Sequence, residues 1–384
     1  MKIGLNAIGF NPGIIGGVET YFRQLLNHLQ TEDGGHEYTI TCKNINIDCF
    51  KLYNPRFSTK MYRFGRPSFR WLLRGVLFEV LHVDIITPLM NRMLVDVLHH
   101  PFSVIEPLGV NIPSVMTFWD MQHEFFPEFF TRSELRFRNY AFRASAQKAN
   151  RIIVSSEFSK ACLIERYNVN VDKIDIIYTG YGGDFRLINN EVELEVIKAN
   201  YKLPDSFIYY PAALWPHKNH RALLDAVCLV RKKFGLKVNL VLSGMSVGRA
   251  GNLNSEIKKH NLEDNVTVLG YIPYGDLPYI YNLATMMIFP SLFEGFGIPL
   301  VEAMACGCPV VCSNTTSLPE VVGENNALLF DPQSIEEMAT AIEKVWDDRD
   351  LRDKMRLAGL KRAELFDWRE TARKTRAVYE KACG

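Results

Sequence analysis

Residues 286–311 have the sequence MMIFPSLFEGFGIPLVEAMACGCPVV. The apolar run at 286–289 predicts a buried parallel strand. Pro299 suits the first position of a helix because its fixed φ is helical and its missing N–H is not needed there. A second apolar run begins at Val310. The segment therefore predicts a strand, a glycine loop, a helix and another strand, which is the repeating unit of an α/β fold.

Two carboxylates, Glu294 and Glu302, flank the loop and the start of this helix. Gly295 and Gly297 allow a ligand to approach the backbone closely, and the N–H groups and dipole of a helix start favour an anion, typically phosphate. A carboxylate beside an anion site is expected to bind hydroxyl groups. Two glutamates at this spacing can also be solvated or helix-capping carboxylates. The residues around them are therefore needed to distinguish a ligand site from these structural roles.

With those residues included, the segment resembles the two-glutamate motif of the retaining, nucleotide-sugar-dependent glycosyltransferases of family 4. The resemblance implies that Glu294 contacts the donor sugar and that Glu302 holds the nucleotide ribose. It also implies that backbone amides between them hold the diphosphate, at Gly295, Phe296, Gly297 and Ile298. The resemblance is strongest to bacterial polysaccharide mannosyltransferases, so it implies hexose transfer from GDP-mannose in surface polysaccharide or lipopolysaccharide synthesis.

The composition is that of a folded protein without a global preference for nucleic acid. The chain has 384 residues, 47% of them hydrophobic, and a formal net charge of +1. This length predicts two domains. Eight cysteines without regular spacing, a strand-like start and no long apolar run predict a cytoplasmic protein with reduced thiols. Cys306, Cys308 and Cys312 are interpreted as small apolar filling rather than metal ligands.

Two series of strand-like segments predict two Rossmann-like, doubly wound domains. The first comprises residues 2–7, 96–100, 114–118, 151–155 and 173–177, and the second comprises 207–211, 237–244, 265–270, 286–290 and 309–313. We expect an acceptor-binding domain at 1–180, a linker at 181–201 and a donor-binding domain at 202–364. The resemblance implies that residues 365–384 pack back on the first domain, and that the two domains face each other across a cleft in the GT-B architecture.

Lys218 is the candidate cation for the donor phosphates. It follows the first strand of the second domain and precedes a helical pattern, so it is expected at the ligand-binding edge of the sheet. The family commonly has an arginine six residues earlier, where this chain has Ala212. His217, His220 or a distant arginine are alternative sources of that charge, and a solvated Lys218 is the structural alternative.

The first domain contributes two further candidate loops. Gly16 and Gly17 resemble the loop that approaches the donor phosphate in the same family. Residues 117–127 resemble a His-Asp loop, although Trp119 replaces the histidine that points at the sugar. Asp120 is expected to orient a hydroxyl or a cation, or alternatively to cap the following turn. His123 is expected to transfer protons at a near-neutral pKa.

The nucleotide is expected to meet two more loops of the second domain. Ser243 and Gly244 end one strand, and Tyr271 follows another. Tyr271 is a candidate for base recognition or an ordinary half-buried aromatic residue, and the base itself is not readable. No metal site and no cofactor are predicted, because the nucleotide sugar is a substrate and the Asp348-Arg349-Asp350 sequence fits a helix or turn.

A stretch rich in basic and aromatic residues predicts an anionic surface partner. Residues 51–74 contain seven basic residues and no acidic residue. The basic residues are Lys51, Arg56, Lys60, Arg63, Arg66, Arg70 and Arg74, and aromatic residues lie among them at Phe57, Tyr62, Phe64, Phe69 and Trp71. The basic pattern continues at Arg132, Arg136, Arg138, Arg143, Lys148 and Arg151, against Glu134 alone. A solvated face is the alternative to peripheral binding at the inner face of the cell membrane.

The sequence is also compatible with two other functions. A sugar-nucleotide epimerase has the same architecture and needs no acceptor. A non-catalytic nucleotide-sugar-binding subunit would be consistent with the altered residues Ala212 and Trp119. A UDP-glucose or UDP-N-acetylglucosamine donor is the alternative to GDP-mannose.

Overall fold

The computed structural model describes residues 1–13, 16–32, 34–62, 84–245 and 253–384. The strands are β1 Lys2–Ala7, β2 Glu37–Lys43, β3 Phe57–Tyr62, β4 Val97–His100, β5 Ser114–Phe118, β6 Arg151–Val154, β7 Ile174–Ile176, β8 Ile208–Pro211, β9 Leu240–Ser243, β10 Val266–Gly270, β11 Met286–Phe289, β12 Val310–Ser313 and β13 Ala327–Phe330. The helices are α1 Gly17–Thr31, α2 Thr87–Met90, α3 Gln122–Phe125, α4 Arg132–Lys148, α5 Glu157–Tyr167, α6 Glu191–Tyr201, α7 His220–Phe234, α8 Leu253–Lys259, α9 Leu277–Leu283, α10 Ile298–Ala305, α11 Leu318–Val322, α12 Ile335–Asp347, α13 Arg349–Ala363 and α14 Trp368–Cys383.

The chain forms two compact units. Unit 1 comprises Met1–Thr179 and Trp368–Gly384, and unit 2 comprises Gly180–Asp367. Unit 1 contains a parallel sheet in the order β3-β2-β1-β4-β5-β6-β7, and unit 2 contains a parallel sheet in the order β10-β9-β8-β11-β12-β13. In each sheet the order reverses at one central pair of strands, β1 and β4 or β8 and β11. The expected α/β class with two doubly wound parallel sheets is confirmed.

The central strands are apolar because both faces of each sheet are covered. All four residues of β11 and of β12 are buried, and so are all five residues of β5. This burial explains the continuous apolar runs in the sequence, since strands covered on both faces do not alternate between polar and apolar residues.

Three strands were not predicted from the sequence. They are β2, β3 and β13, and β3 and β13 lie at sheet edges. In β3 only the first and last residues are buried, and β13 buries only its last residue fully. Edge strands carry mixed polar and apolar residues, so their sequence signal is weak.

The strand β3 also changes the interpretation of the basic and aromatic stretch. Phe57 is buried and stacks on Tyr38 with ring centroids 4.3 Å apart, and Tyr62 is buried as well. These two aromatic rings therefore belong to the core rather than to a membrane-facing patch. Lys51, Arg56 and Lys60 are exposed. The remaining basic and aromatic residues of this stretch lie outside the described residues, namely Arg63, Phe64, Arg66, Phe69, Arg70, Trp71 and Arg74.

The segment expected to be a linker belongs to unit 2. Its helix α6 is tied to neighbouring elements by two tyrosine hydroxyls. Tyr279 donates to Glu193 at 3.0 Å, and Tyr201 donates to Asp276 at 2.6 Å. Residues 191–201 are therefore a packed part of the second unit rather than a connection between units.

The last helix, α14, packs in the core of unit 1. Trp368 is 2% exposed and Tyr379 is fully buried. The hydroxyl of Tyr379 is hydrogen-bonded to Nδ1 of His99 at 2.8 Å, and Nε2 of His99 is bonded to Thr117 at 2.8 Å. Burial lowers the pKa of His99 to about 3, so this imidazole is neutral at physiological pH. Both of its nitrogens have a partner, as a buried neutral imidazole requires.

Three smaller expectations are also answered. All eight cysteines are free thiols, and Cys306, Cys308 and Cys312 are buried, as their assignment as apolar filling predicts. Asp348 accepts a hydrogen bond from the Leu351 amide at 2.8 Å and caps α13, so its position at a helix start agrees with the predicted helix or turn. Within the described ranges, none of the helices has the length and apolar composition that crossing a bilayer requires.

We predict that Tyr379→Phe lowers the free energy of unfolding by about 1–3 kcal/mol, because Nδ1 of the buried His99 loses its partner. Urea unfolding monitored by circular dichroism measures this change. Tyr53→Phe is the matched control, since its hydroxyl is also hydrogen-bonded but its side chain is 58% exposed. Equal effects of the two substitutions would contradict the proposed role of the His99 bond.

Candidate functional site

The candidate site lies where the strand order of unit 2 reverses. Lys218 follows β8 and Glu294 follows β11, and these two strands are parallel neighbours. Helices leave such a pair of strands on opposite faces of the sheet, so a crevice opens beyond the carboxyl ends of the strands. The structure therefore brings together Lys218 and Glu294, which are 76 residues apart in the sequence.

Lys218 and Glu294 form an ion pair. Nζ of Lys218 lies 2.5 Å from Oε1 of Glu294, with side-chain exposures of 17% and 14%. The ammonium also lies 5.1 Å from the centre of the Phe289 ring at the end of β11. The hydroxyl of Tyr210 donates to the backbone carbonyl of Lys218 at 2.7 Å. The alternative of a solvated Lys218 is therefore wrong, because this side chain is mostly buried and paired.

Glu294 is held in its ionised form. Burial opposes ionisation of this carboxyl group, but the charge of Lys218 and the hydrogen bond from its ammonium outweigh burial and lower the pKa of Glu294. His217 also lies close to this carboxylate. The result is a carboxylate that accepts hydrogen bonds at neutral pH, which is the property required for binding sugar hydroxyl groups.

The two histidines beside Lys218 do not replace the missing arginine. Burial and the nearby Lys218 charge lower the pKa of His217 to about 3 and that of His220 to about 4. Both imidazoles are therefore neutral at pH 7 and add no positive charge. Ala212 itself is 7% exposed and its amide donates to Ser243 at 2.8 Å, so this position is part of the packed strand end.

The glycine loop between the glutamates has the predicted form. Gly297 has a φ of 101° and directly precedes α10, and Pro299 lies in the first turn of that helix. A Cβ atom at Gly297 would lie 2.9 Å from the Leu318 side chain, and the positive φ disfavours any other residue. In the first turn of α10, Pro299 has no N–H and the Leu300 amide donates to the Gly297 carbonyl at 2.9 Å, which leaves the N–H of Ile298 for a ligand. The start of α10 is thus suited to an anion.

Glu302 has a different environment from Glu294. It is 5% exposed and accepts hydrogen bonds from Tyr274 at 3.2 Å and from Tyr281 at 3.4 Å. Burial raises the pKa of Glu302 to about 7, although the two tyrosine hydroxyls act in the opposite direction. This carboxyl group therefore titrates near neutral pH, and the ligands that it binds are expected to shift its protonation.

The loops after β9 and β10 combine structural and accessible residues. The Ser243 hydroxyl is bonded to the Tyr209 hydroxyl at 2.7 Å. A Cβ atom at Gly244 would lie 2.4 Å from the Ala212 carbonyl oxygen, so glycine is required there by a close backbone approach. Tyr271 is 70% exposed and is not the half-buried aromatic of the alternative interpretation.

The glycine loop of unit 1 is held by an acidic side chain. Gly16 has a φ of 50° and precedes α1, and Gly16 and Gly17 are exposed. Glu19 accepts a hydrogen bond from the Gly13 amide at 2.6 Å and is paired with Arg23 at 2.9 Å. Glu19 therefore connects Gly13, which follows β1, to the first turn of α1, at whose start Gly16 and Gly17 lie. Residues 14–15 of this loop are outside the described residues.

Trp119 and Asp120 follow β5 in unit 1. The indole N–H of Trp119 donates to the Pro101 carbonyl at 2.8 Å, and its ring packs edge-on against Tyr21 at 4.4 Å. Asp120 accepts a hydrogen bond from the Gln122 amide at 3.1 Å. One oxygen of Asp120 thus has the turn-capping role that the sequence analysis gave as the alternative.

His123 does not have the near-neutral pKa that was expected. It is 2% exposed, its Nε2 is 3.2 Å from the Tyr167 hydroxyl, and its ring packs edge-on against Phe142 at 5.1 Å. Burial, together with the Arg138 charge, lowers the pKa of His123 to about 4. The expectation is wrong because the short helix α3 turns this ring into the apolar core of unit 1.

Several site residues were not identified from the sequence. Tyr274 and Tyr281 hold Glu302, and Thr316 and Ser317 hold the glycine loop. The signal for the second pair was the polar run 314–317 directly after a buried strand. The tyrosines had no such signal, because buried aromatic residues are common in protein cores.

Comparisons with known proteins agree with this geometry. The profile described as "Glycosyl transferases group 1" matches residues 193–362, and the one described as "Glycosyltransferase Family 4" matches residues 15–181. The O-antigen chain mannosyltransferase B of Escherichia coli is 32% identical over 268 residues, which are 70% of each chain. The serotype-specific mannosyltransferase WbdA of E. coli is 30% identical over 60% of this chain, but the match spans only 28% of that larger protein.

A solved structure shows the same fold. Sucrose-phosphate synthase from Thermosynechococcus elongatus superposes with a TM-score of 0.80 over 99% of this chain and 98% of that chain, at 20% identity. This likeness confirms the fold class that the sequence resemblance named GT-B. The two profiles and the E. coli relative of similar length show the family, and the chain therefore belongs to the family-4, group 1 glycosyltransferases.

Proposed function

We propose that this glycosyltransferase transfers mannose from GDP-mannose, with retention of anomeric configuration, to a hydroxyl group of a glycan or lipid-linked oligosaccharide in bacterial surface polysaccharide synthesis. The observation that carries this proposal is the Lys218–Glu294 ion pair at the strand-order reversal of unit 2. The relatives described as mannosyltransferases support the choice of sugar.

Each part of the donor is assigned to a group of unit 2. An ammonium has three N–H donors, and one of those of Lys218 is bonded to Glu294, so the remaining donors are assigned to the diphosphate. The start of α10 adds the backbone N–H of Ile298 for the same anion. Glu294 accepts hydrogen bonds from the sugar, and Glu302 accepts them from the ribose. Lys218 and the amides supply the positive potential for the leaving diphosphate, and we therefore propose a metal-independent reaction.

Unit 1 is assigned to the acceptor, with Asp120 and Trp119 at the carboxyl end of β5. The indole of Trp119 is fixed by Pro101 and Tyr21, so it offers a rigid, partly exposed ring to a sugar. His123 is not assigned a role in proton transfer, because its ring is buried in the core.

Product analysis separates the proposal from its rivals. A sugar-nucleotide epimerase converts the donor without an acceptor, whereas a glycosyltransferase releases free nucleoside diphosphate. A binding subunit releases none. The retained ion pair favours an enzyme, because a partly buried lysine and glutamate are costly to keep once their function is lost.

Glu294→Gln is predicted to lower the turnover number by at least about a hundredfold while the protein stays folded, because the amide keeps the shape of the side chain and loses its charge. Release of nucleoside diphosphate from GDP-mannose, compared with UDP-glucose and UDP-N-acetylglucosamine, measures the effect and the donor preference. Glu320→Gln is a control outside the proposed site, near the start of α11. Near-normal turnover of Glu294→Gln would refute the assignment.

Donor affinity is predicted to increase as the pH rises through about 7, because ribose hydroxyls donate to the ionised form of Glu302 and the pKa of the unliganded group is about 7. Binding then releases a proton below this pH and none above it. Calorimetric titration with a nucleotide sugar measures the profile, since its diphosphate has no group titrating near neutrality. In Glu302→Gln we expect weaker binding without this pH dependence, and an unchanged profile would exclude Glu302 as its source.

We also propose that α4 binds anionic lipid headgroups. The α4 basic face consists of the exposed residues Arg132, Arg136, Phe137 and Tyr140. Phe137 is 52% exposed and Tyr140 is 47% exposed. The acidic residue of this helix, Glu134, is engaged in a capping box with Thr131. Positive charge and aromatic rings on one face complement an anionic membrane surface.

The structure reduces the basic region that the sequence suggested. Arg138 lies over the rings of Phe130 and Phe142 at 4.6 and 5.4 Å, and Arg143 lies over the ring of Tyr167 at 4.9 Å. Arg151 is hydrogen-bonded to Asp175. These three arginines are engaged within unit 1. The membrane proposal therefore rests on the α4 basic face rather than on all the arginines of residues 132–151.

The double substitution Arg132→Gln/Arg136→Gln is predicted to lower the partition coefficient onto phosphatidylglycerol-containing vesicles about 30-fold, at about 1 kcal/mol for each arginine. Co-sedimentation at low salt measures it. Lys232→Gln/Lys237→Gln is the matched control, because it removes the same charge from exposed positions of unit 2. If the wild type does not sediment with these vesicles, or if both variants bind equally, the α4 basic face is not the docking surface.

A further inference from the structure

The backbone of Thr316 is in an unfavourable conformation. This residue lies between β12 and α11 and has a φ of 58°. Positive φ is rare for β-branched residues because the side chain clashes with the backbone. Strained residues of this kind persist only when the surrounding contacts hold them, and they cluster at functional sites. The contacts of Thr316 and of its neighbour Ser317 therefore indicate what the strain maintains.

Both residues are hydrogen-bonded to the glycine loop. The Thr316 hydroxyl accepts from the Glu294 amide at 3.3 Å and donates to the Thr315 carbonyl at 2.7 Å. The Ser317 hydroxyl lies 3.0 Å from the Glu294 carbonyl and 3.1 Å from the Phe296 carbonyl. The amide of Glu294 and two carbonyls of its loop are thus bonded to one pair of neighbouring residues.

Ser317 does not cap the helix that it precedes. A serine at this position usually accepts a hydrogen bond from the first turn of its own helix. Here the side chain makes no such bond to α11, and Ser317 is fully buried. Its hydroxyl is directed to the loop that carries Glu294 instead, which is the second observation that assigns the pair a role outside α11.

On the basis of the proposed donor site, we infer that Thr316 and Ser317 form a clamp that positions the glycine loop for the donor diphosphate and sugar. Carbonyl oxygens repel a diphosphate when they face it, and Ser317 engages the carbonyls of Glu294 and Phe296. The bond from the Glu294 amide to Thr316 fixes the backbone from which the Glu294 carboxylate projects toward Lys218. Thr316 and Ser317 are positioning residues, since they act through Glu294 and its loop.

The strain at Thr316 provides a test that separates positioning from stability. Thr316→Gly removes the hydroxyl and also relieves the unfavourable φ, because glycine adopts positive φ readily. We expect the melting temperature to be unchanged or higher, the Kd for the nucleotide sugar to increase about tenfold for the lost hydrogen bond, and kcat to decrease. Thr316→Ser keeps the hydroxyl and is expected to retain the wild-type Kd and kcat.

If Thr316 only stabilised the fold, Thr316→Gly would lower kcat and weaken donor binding only to the extent that it lowered the melting temperature. Wild-type Kd and kcat in Thr316→Gly would overturn the inference, and so would equal losses in Thr316→Gly and Thr316→Ser. A wild-type protein that binds no nucleotide sugar would instead refute the proposed function, and the positioning role with it.

Ser317→Ala gives an independent measurement that needs no ligand. We expect faster amide hydrogen exchange in the peptide covering residues 291–298, because two loop carbonyls lose their partner. Exchange in β12, at 310–313, is the internal reference and should not change. Unchanged exchange at 291–298 would show that Ser317 does not hold the loop and would overturn the clamp.

Discussion

The ion pair between Lys218 and Glu294 is the interaction on which the candidate site depends. Parallel neighbouring strands bring the two loops to one edge of the sheet, and the 2.5 Å contact then joins them. A backbone bond from the Leu292 amide to the His217 carbonyl at 2.8 Å reinforces the same connection. Because both side chains are largely buried, loss of either one leaves an uncompensated charge. The Lys218–Glu294 ion pair therefore determines both the charge of the site and the relative position of its two loops.

The two glutamates of the motif occupy opposite electrostatic environments. Lys218 lowers the pKa of Glu294, whereas burial among tyrosines raises the pKa of Glu302 to about 7. Groups whose pKa values are moved apart in this way commonly have different roles. Glu294 is therefore an ionised acceptor at neutral pH, whereas the ionisation of Glu302 near pH 7 is expected to increase when hydroxyl groups donate to it. The spacing of the two glutamates in the sequence does not predict this difference between their pKa values.

Much of the candidate site was predictable because its residues lie on the loops that follow apolar strands. Glu294, Lys218 and Gly297 are of this kind, and parallel strands place their carboxyl ends at one edge. The tyrosines that hold Glu302 and the strain at Thr316 depend on tertiary packing, which leaves no local pattern. The pKa of His123 was mispredicted because the burial that lowers it depends on tertiary packing, which the local sequence does not indicate. Edge strands such as β3 were missed because their residues are only partly covered.

The central claim is that the strand-order reversal of unit 2 holds the donor. A crystal structure of the full chain with GDP tests it most directly. The account predicts the diphosphate within hydrogen-bonding distance of Lys218 Nζ and the Ile298 amide at the start of α10, with the ribose hydroxyls on Glu302. A nucleotide bound away from these groups, or a diphosphate that leaves Lys218 without contact, would contradict it.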